Sequence, residues 1–208
     1  MPTRTAEWLI RTGCVALICL ITAVPRAAFP APSIRVEVGS FWYESTPPPF
    51  PTSESEPAVL TDASARVLTA IGDLLARFPV DFPQPPPHDV VVRAKPREEM
   101  QRLVGLYADT SSYGGAKLVG STVFIDVNRS AFVGWQALND AELRCFLGHE
   151  LIHAYQFATG SDPGNGPELW RREIEAYTWE ANHLEPAVRS WYREDLAFTL
   201  RMYRELLE

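Results

Sequence analysis

The run His149-Glu150-Leu151-Ile152-His153 constrains this chain more than any other feature. Two histidines four residues apart stand on one side of an α-helix, about one turn from each other, so both imidazoles reach a single metal ion. Glu150 projects about 100° further round the same helix, where it touches water at that metal without ligating the metal itself. Imidazole and carboxylate suit zinc, and a catalytic zinc keeps one position open for water whose pKa it lowers. Asn139-Asp140-Ala141-Glu142 supplies a helix start, with a capping side chain and a carboxylate three residues on. Leu143, Leu147, Leu151 and Ala154 recur at helical spacing. The pattern predicts a helix whose leucines are buried and whose histidines face a cleft. Cys145 lies one turn before His149 and reads as a small buried hydrophobe rather than a ligand.

The order of elements predicts an α+β fold. Alternation at Ile34, Val36 and Val38 predicts a strand. Apolar positions from Val59 to Leu75 predict a helix over Pro57–Phe78, which Pro79 ends. Val90-Val91-Val92 predicts a buried strand within Asp89–Ala94, and Pro96 opens a helix to about Tyr107. Ser111 to Gly115 reads as a turn, and Lys117–Val119 and Thr122–Val127 as neighbouring strands about Gly120. Such a strand just before the metal helix offers an edge on which an extended peptide lies by backbone hydrogen bonds. Beyond the loop Gly160–Pro167, one helix runs to about Leu184. A last one starts at Pro186, with Val188, Tyr192, Leu196, Leu200, Tyr203 and Leu207 as its packed stripe.

Three segments follow from composition. Residues 1–28 carry Arg4 and Arg11 ahead of a short apolar run, Cys14 to Val24, too short for a spanning helix of about 20 residues. They predict export, as a signal peptide or as an anchor through residues 9–24 that stays uncleaved. Residues 29–57 are rich in proline, serine and glutamate and read as a linker with one strand. Residues 58–208 are expected to form the domain that carries the His149–His153 motif. The net charge of −7, with no basic cluster, excludes nucleic acid as an expected partner.

On His149 to His153 and the helix from Glu168 to Leu184, the chain resembles the zincin metallopeptidases. Within them it is most similar to a minimal gluzincin, in which a glutamate on a following helix is the third ligand. Glu173-Ile174-Glu175-Ala176-Tyr177 matches that pattern in its glutamate and alanine. It departs at Tyr177, where the family carries an aspartate that supports a metal-ligating histidine. His149 to Tyr155 is also similar to the mitochondrial inner-membrane processing peptidases, but the cysteines flanking their motifs are absent. The metzincin pattern fails at Gln156 and Thr159.

The resemblance implies zinc held by His149, His153 and Glu173. It also implies hydrolysis of a peptide or protein substrate, with Glu150 as general base and then acid. Helix geometry agrees on the third ligand. The apolar face of Trp170, Ile174, Tyr177, Ala181 and Leu184 has Glu173 about 60° and Glu180 about 80° from its centre, with Glu175 and His183 about 140° away. Glu180 stays in reserve as a ligand or as a supporting carboxylate. Tyr155 and Tyr177 are candidate donors to a developing oxyanion, and His88 and His183 are not favoured as ligands. A metal-stabilised module without catalysis and a zinc hydrolase of another bond are the alternative readings.

Overall fold

A computed structural model describes residues 31–37, 56–95, 113–128, 131–132, 137–159 and 166–208. The expected export segment, most of the linker, the helix from Pro96 to Tyr107 and most of the loop after Gly160 lie outside these residues. Pro32–Glu208 forms one unit, distinct from Met1–Ala31. In chain order it contains β1 (Ile34–Val36), α1 (Glu56–Arg77), β2 (Asp89–Lys95), β3 (Gly114–Val119), β4 (Thr122–Asn128), α2 (Asp140–Gln156), α3 (Pro167–Asn182) and α4 (Ser190–Leu207). The architecture is α+β, as the sequence predicts.

The sheet has the order β1-β2-β4-β3. β2 is parallel to β1 on one side and to β4 on the other, with Ile34 opposite Val90 and Val91 opposite Phe124. A strand paired on both sides and covered on both faces must be apolar throughout. Val90, Val91 and Val92 are all fully buried. β3 and β4 form an antiparallel hairpin. Gly120, at φ +62°, takes the left-handed conformation in its turn, which costs glycine little. Gly114 and Gly115, read from sequence as part of a turn, belong instead to β3. A side chain at Gly114 would collide with the Asp126 carbonyl and the Phe146 ring, so this glycine lets β3 lie close to both β4 and α2.

Val90 and Val92 join Val123, Ile125 and Val127 in the core facing the helices, with Val67, Ile71 and Leu74 of α1 and Leu143, Leu147 and Leu151 of α2. Arg66 of α1 donates to the Asp140 carboxylate and to the Leu138 carbonyl, tying α1 to the start of α2. That start is a full capping box: Asn139 Oδ1 accepts from the Glu142 backbone N–H, and the Glu142 carboxylate accepts from the Asn139 N–H. Glu142 has no exposed surface, and its charge is balanced by Arg189, whose backbone N–H and guanidinium both donate to it.

The last helix begins at Ser190, not at Pro186. Residues 185–188 close a turn through a Val188 N–H to Glu185 carbonyl bond, and Arg189 remains extended while it serves Glu142. The buried side of α3 also differs from the expected one. Ala176, Trp179 and Glu180 are its buried residues, while Tyr177 turns towards α4, where it stacks on Tyr203. α3 is packed from two sides, so a single apolar stripe could not describe it.

Candidate metal centre

α2 is buried almost all round, from Ala141 to Leu151, and His149 and Glu150 are each only 5% exposed. The expected open cleft on the histidine side is instead covered, because α3 lies across that side of the helix. Gly148 makes this possible: a methyl group there would stand 2.1 Å from the Trp179 ring of α3. The price is that polar groups are buried, and each must find a partner.

The two histidines and Glu173 find one another. The Nε2 atoms of His149 and His153 are 3.0 Å apart. Glu173 of α3 brings one carboxylate oxygen to 3.6 Å from His149 Nε2 and the other to 3.5 Å from His153 Nε2. Tetrahedral ligands on bonds of about 2.0–2.1 Å stand about 3.3 Å apart, so these spacings fit one small cation. Among the described residues this trio forms a group able to hold a metal.

The outward ring nitrogens support the same orientation. His153 Nδ1 faces Gln156 Oε1 at 2.8 Å, and Gln156 donates in turn to Glu175 and to the Arg172 carbonyl. His149 Nδ1 faces Glu180 Oε2 at 3.2 Å, close to it but off the ideal hydrogen-bond direction. An acceptor beside each Nδ1 fixes the proton there and leaves both Nε2 lone pairs converging with a carboxylate. Three lone-pair donors at one point call for a cation. Burial pushes His149 down, but Glu173 and Glu180 outweigh it and lift the imidazole to about 10. His153 is likewise raised, against burial, by Glu173. Glu173 is depressed well below the usual carboxylate range, because the two imidazoles overcome its own burial.

Glu150 adjoins the trio without joining it. Its Oε2 is buried with no hydrogen-bond partner, and burial raises its pKa against the pull of His149 and His153. A buried, unpartnered carboxylate oxygen is costly unless something else occupies it.

The other candidates fall elsewhere. Cys145 sits off the trio with Sγ 4.0 Å from the His183 carbonyl, and burial together with Glu180 pushes its thiol up to about 12. His183 is half-buried, not solvent-facing as its helical angle suggests. Its Nδ1 meets the Trp179 carbonyl at 2.6 Å, and its ring stacks on Trp179. His88 reaches the Phe157 carbonyl. Tyr155 donates to the Pro83 carbonyl, away from the trio, and Tyr177 sets its ring edge against His149 at 4.2 Å between centroids. Tyr192, which sequence reasoning places only in a packed stripe, reaches this group from α4. Its hydroxyl donates to Glu180 at 2.5 Å. No family model, curated protein or solved structure matches the chain.

Proposed function

We propose that this chain is a zinc-dependent hydrolase of peptide bonds, with His149, His153 and Glu173 as ligands and Glu150 as general base and acid. The observation that carries the reading is Glu150, a buried carboxylate with one unpartnered oxygen directly beside a converging His-His-Glu trio. A site that only stabilised the fold would not need that group, and leaving it unpaired would cost stability. Two imidazoles and a carboxylate form the ligand set of a catalytic zinc site, which supplies a Lewis acid for the scissile carbonyl and a water of lowered pKa.

The rest is the work of the chain itself. Glu150 takes a proton from the attacking water and returns it to the leaving amine nitrogen as the C–N bond breaks. Burial favours this by raising its affinity for that proton, against the pull of His149 and His153. Among the described residues β3 is one of the two edge strands of the sheet, and it packs on α2 through Phe146, which shares a side of α2 with Glu150 one turn on. An extended substrate added along β3 by backbone hydrogen bonds would bring a peptide group towards Glu150.

The test is metal analysis of the purified full chain, with cleavage of an unstructured protein by wild type and by Glu150→Gln. The variant should retain about one zinc per chain and lose about 10²–10⁴-fold in rate, the usual worth of general acid–base catalysis. Cleavage at the wild-type rate would remove Glu150 from the mechanism.

A further inference from the structure

We propose that Glu180 and Tyr192 are positioning residues of this centre: Glu180 holds His149 through Nδ1, and Tyr192 holds Glu180. The C-terminal helix α4 thus sets the affinity of a site to which it gives no ligand. The proposal rests on the reading of His149, His153 and Glu173 as metal ligands.

Geometry on α3 selects Glu180. Tyr177, one turn after Glu173, offers the His149 ring an aromatic edge and no acceptor for its Nδ1–H. Glu180 comes seven residues after Glu173, almost two full turns, and so returns to within about 20° of the same direction. It is 3% exposed, and a carboxylate so buried needs donors. The Tyr192 hydroxyl donates to Oε1 at 2.5 Å, and His149 Nδ1 stands 3.2 Å from Oε2, close to it though off the ideal hydrogen-bond direction.

Tyr192 can only donate in this arrangement. Burial and the Glu180 charge push its phenol well above the ordinary value, which keeps the hydroxyl protonated. Its place is fixed three residues upstream, where Arg189 locks the start of α4 to Glu142 of α2. The tyrosine therefore approaches Glu180 from an element that is itself anchored to the metal-bearing helix. Residues that support a metal-ligating histidine in this way typically change metal affinity 10–100-fold when removed.

The experiment measures zinc affinity of the full chain by competition with a chromophoric chelator. Five variants accompany wild type: Glu173→Ala, Glu180→Gln, Tyr192→Phe, the double Glu180→Gln/Tyr192→Phe, and Leu196→Ala. Glu180→Gln should bind about 10–100-fold more weakly and Tyr192→Phe about tenfold. Because Tyr192 acts through Glu180, the double variant should be no weaker than Glu180→Gln alone. Leu196→Ala loosens α4 by removing a buried side chain one turn beyond Tyr192, with no polar group to offer Glu180, and should lower thermal stability while leaving zinc affinity near wild type. Tyr192→Phe removes one oxygen without changing packing volume, so it remains informative if Glu180→Gln does not fold.

Wild-type affinity in both single variants would overturn the proposal, as would full multiplication of their effects in the double. An equal loss in Leu196→Ala would reduce α4 to a structural support and would also overturn it. Failure of the ligand reading looks different: Glu173→Ala would then bind zinc as wild type does.

Discussion

Gly148 is where the helix and the site can be tested together. In Gly148→Ala the new Cβ would stand 2.1 and 2.4 Å from two carbons of the Trp179 ring. Carbon atoms pack at about 3.5–4.0 Å, so the overlap exceeds an ångström. Trp179 has little room to give way. It is stacked on His183 at 4.3 Å, flanked by Phe78 and Phe82, and its indole N–H donates to Asp81. Overpacking of this kind costs about 1–3 kcal/mol, and two severe contacts put it at the upper end. Alanine in place of glycine inside a helix recovers about 1 kcal/mol. The net expectation is a loss of about 2 kcal/mol, which lowers Tm by about 4–8 °C for a domain of this size. Thermal unfolding of the metal-free protein measures it. In a Trp179→Leu background the obstacle is gone, so the same glycine change should become neutral or stabilising. If Gly148→Ala raises Tm in the wild-type background, the close seating of α3 on α2 described above is wrong.

Three further outcomes follow from the same geometry. Glu173→Ala should lose tightly bound zinc while Glu175→Ala keeps it, since Glu175 reaches the site only through Gln156; zinc-to-protein ratios after desalting decide, and the reverse result would break the ligand assignment. Hydrogen bonds from Arg144, working against burial and aided by Arg77, hold Glu185 down at about 2. Because its folded pKa is depressed, its contribution is present above the ordinary value of about 4.5 and lost as pH falls from there towards 2. Glu185→Gln should therefore flatten the decline of Tm across that window, and identical slopes in variant and wild type would refute the link. Fractionation of cells expressing the full chain should place the protein outside the cytoplasm, free or held by residues 9–24, and a wholly cytosolic full-length product would count against both forms.

What sequence could and could not convey divides along physical lines. The capping box at Asn139 and Glu142, the valine run of β2 and the hairpin about Gly120 are local features, readable from spacing and residue type because neighbouring residues decide them. The pairing of His149 with His153 is local in the same sense, and Glu173 followed from resemblance together with helical angle. The start of α4 was not readable, because it depends on Arg189 answering a buried charge on Glu142, 47 residues away. The buried side of α3 escaped for a related reason. Apolar periodicity assumes that the buried side is the greasy one, whereas here the side facing α2 carries Glu173 and Glu180 and is buried because of what those carboxylates meet. That exception itself carries meaning. A helix that turns two carboxylates inward and leaves Ile174 half-buried gives up apolar burial, which is worth about 25 cal/mol per Å². The two histidines and Tyr192 are what make that arrangement tolerable. The departure from apolar patterning therefore falls at the place where the chain's chemistry is proposed to lie.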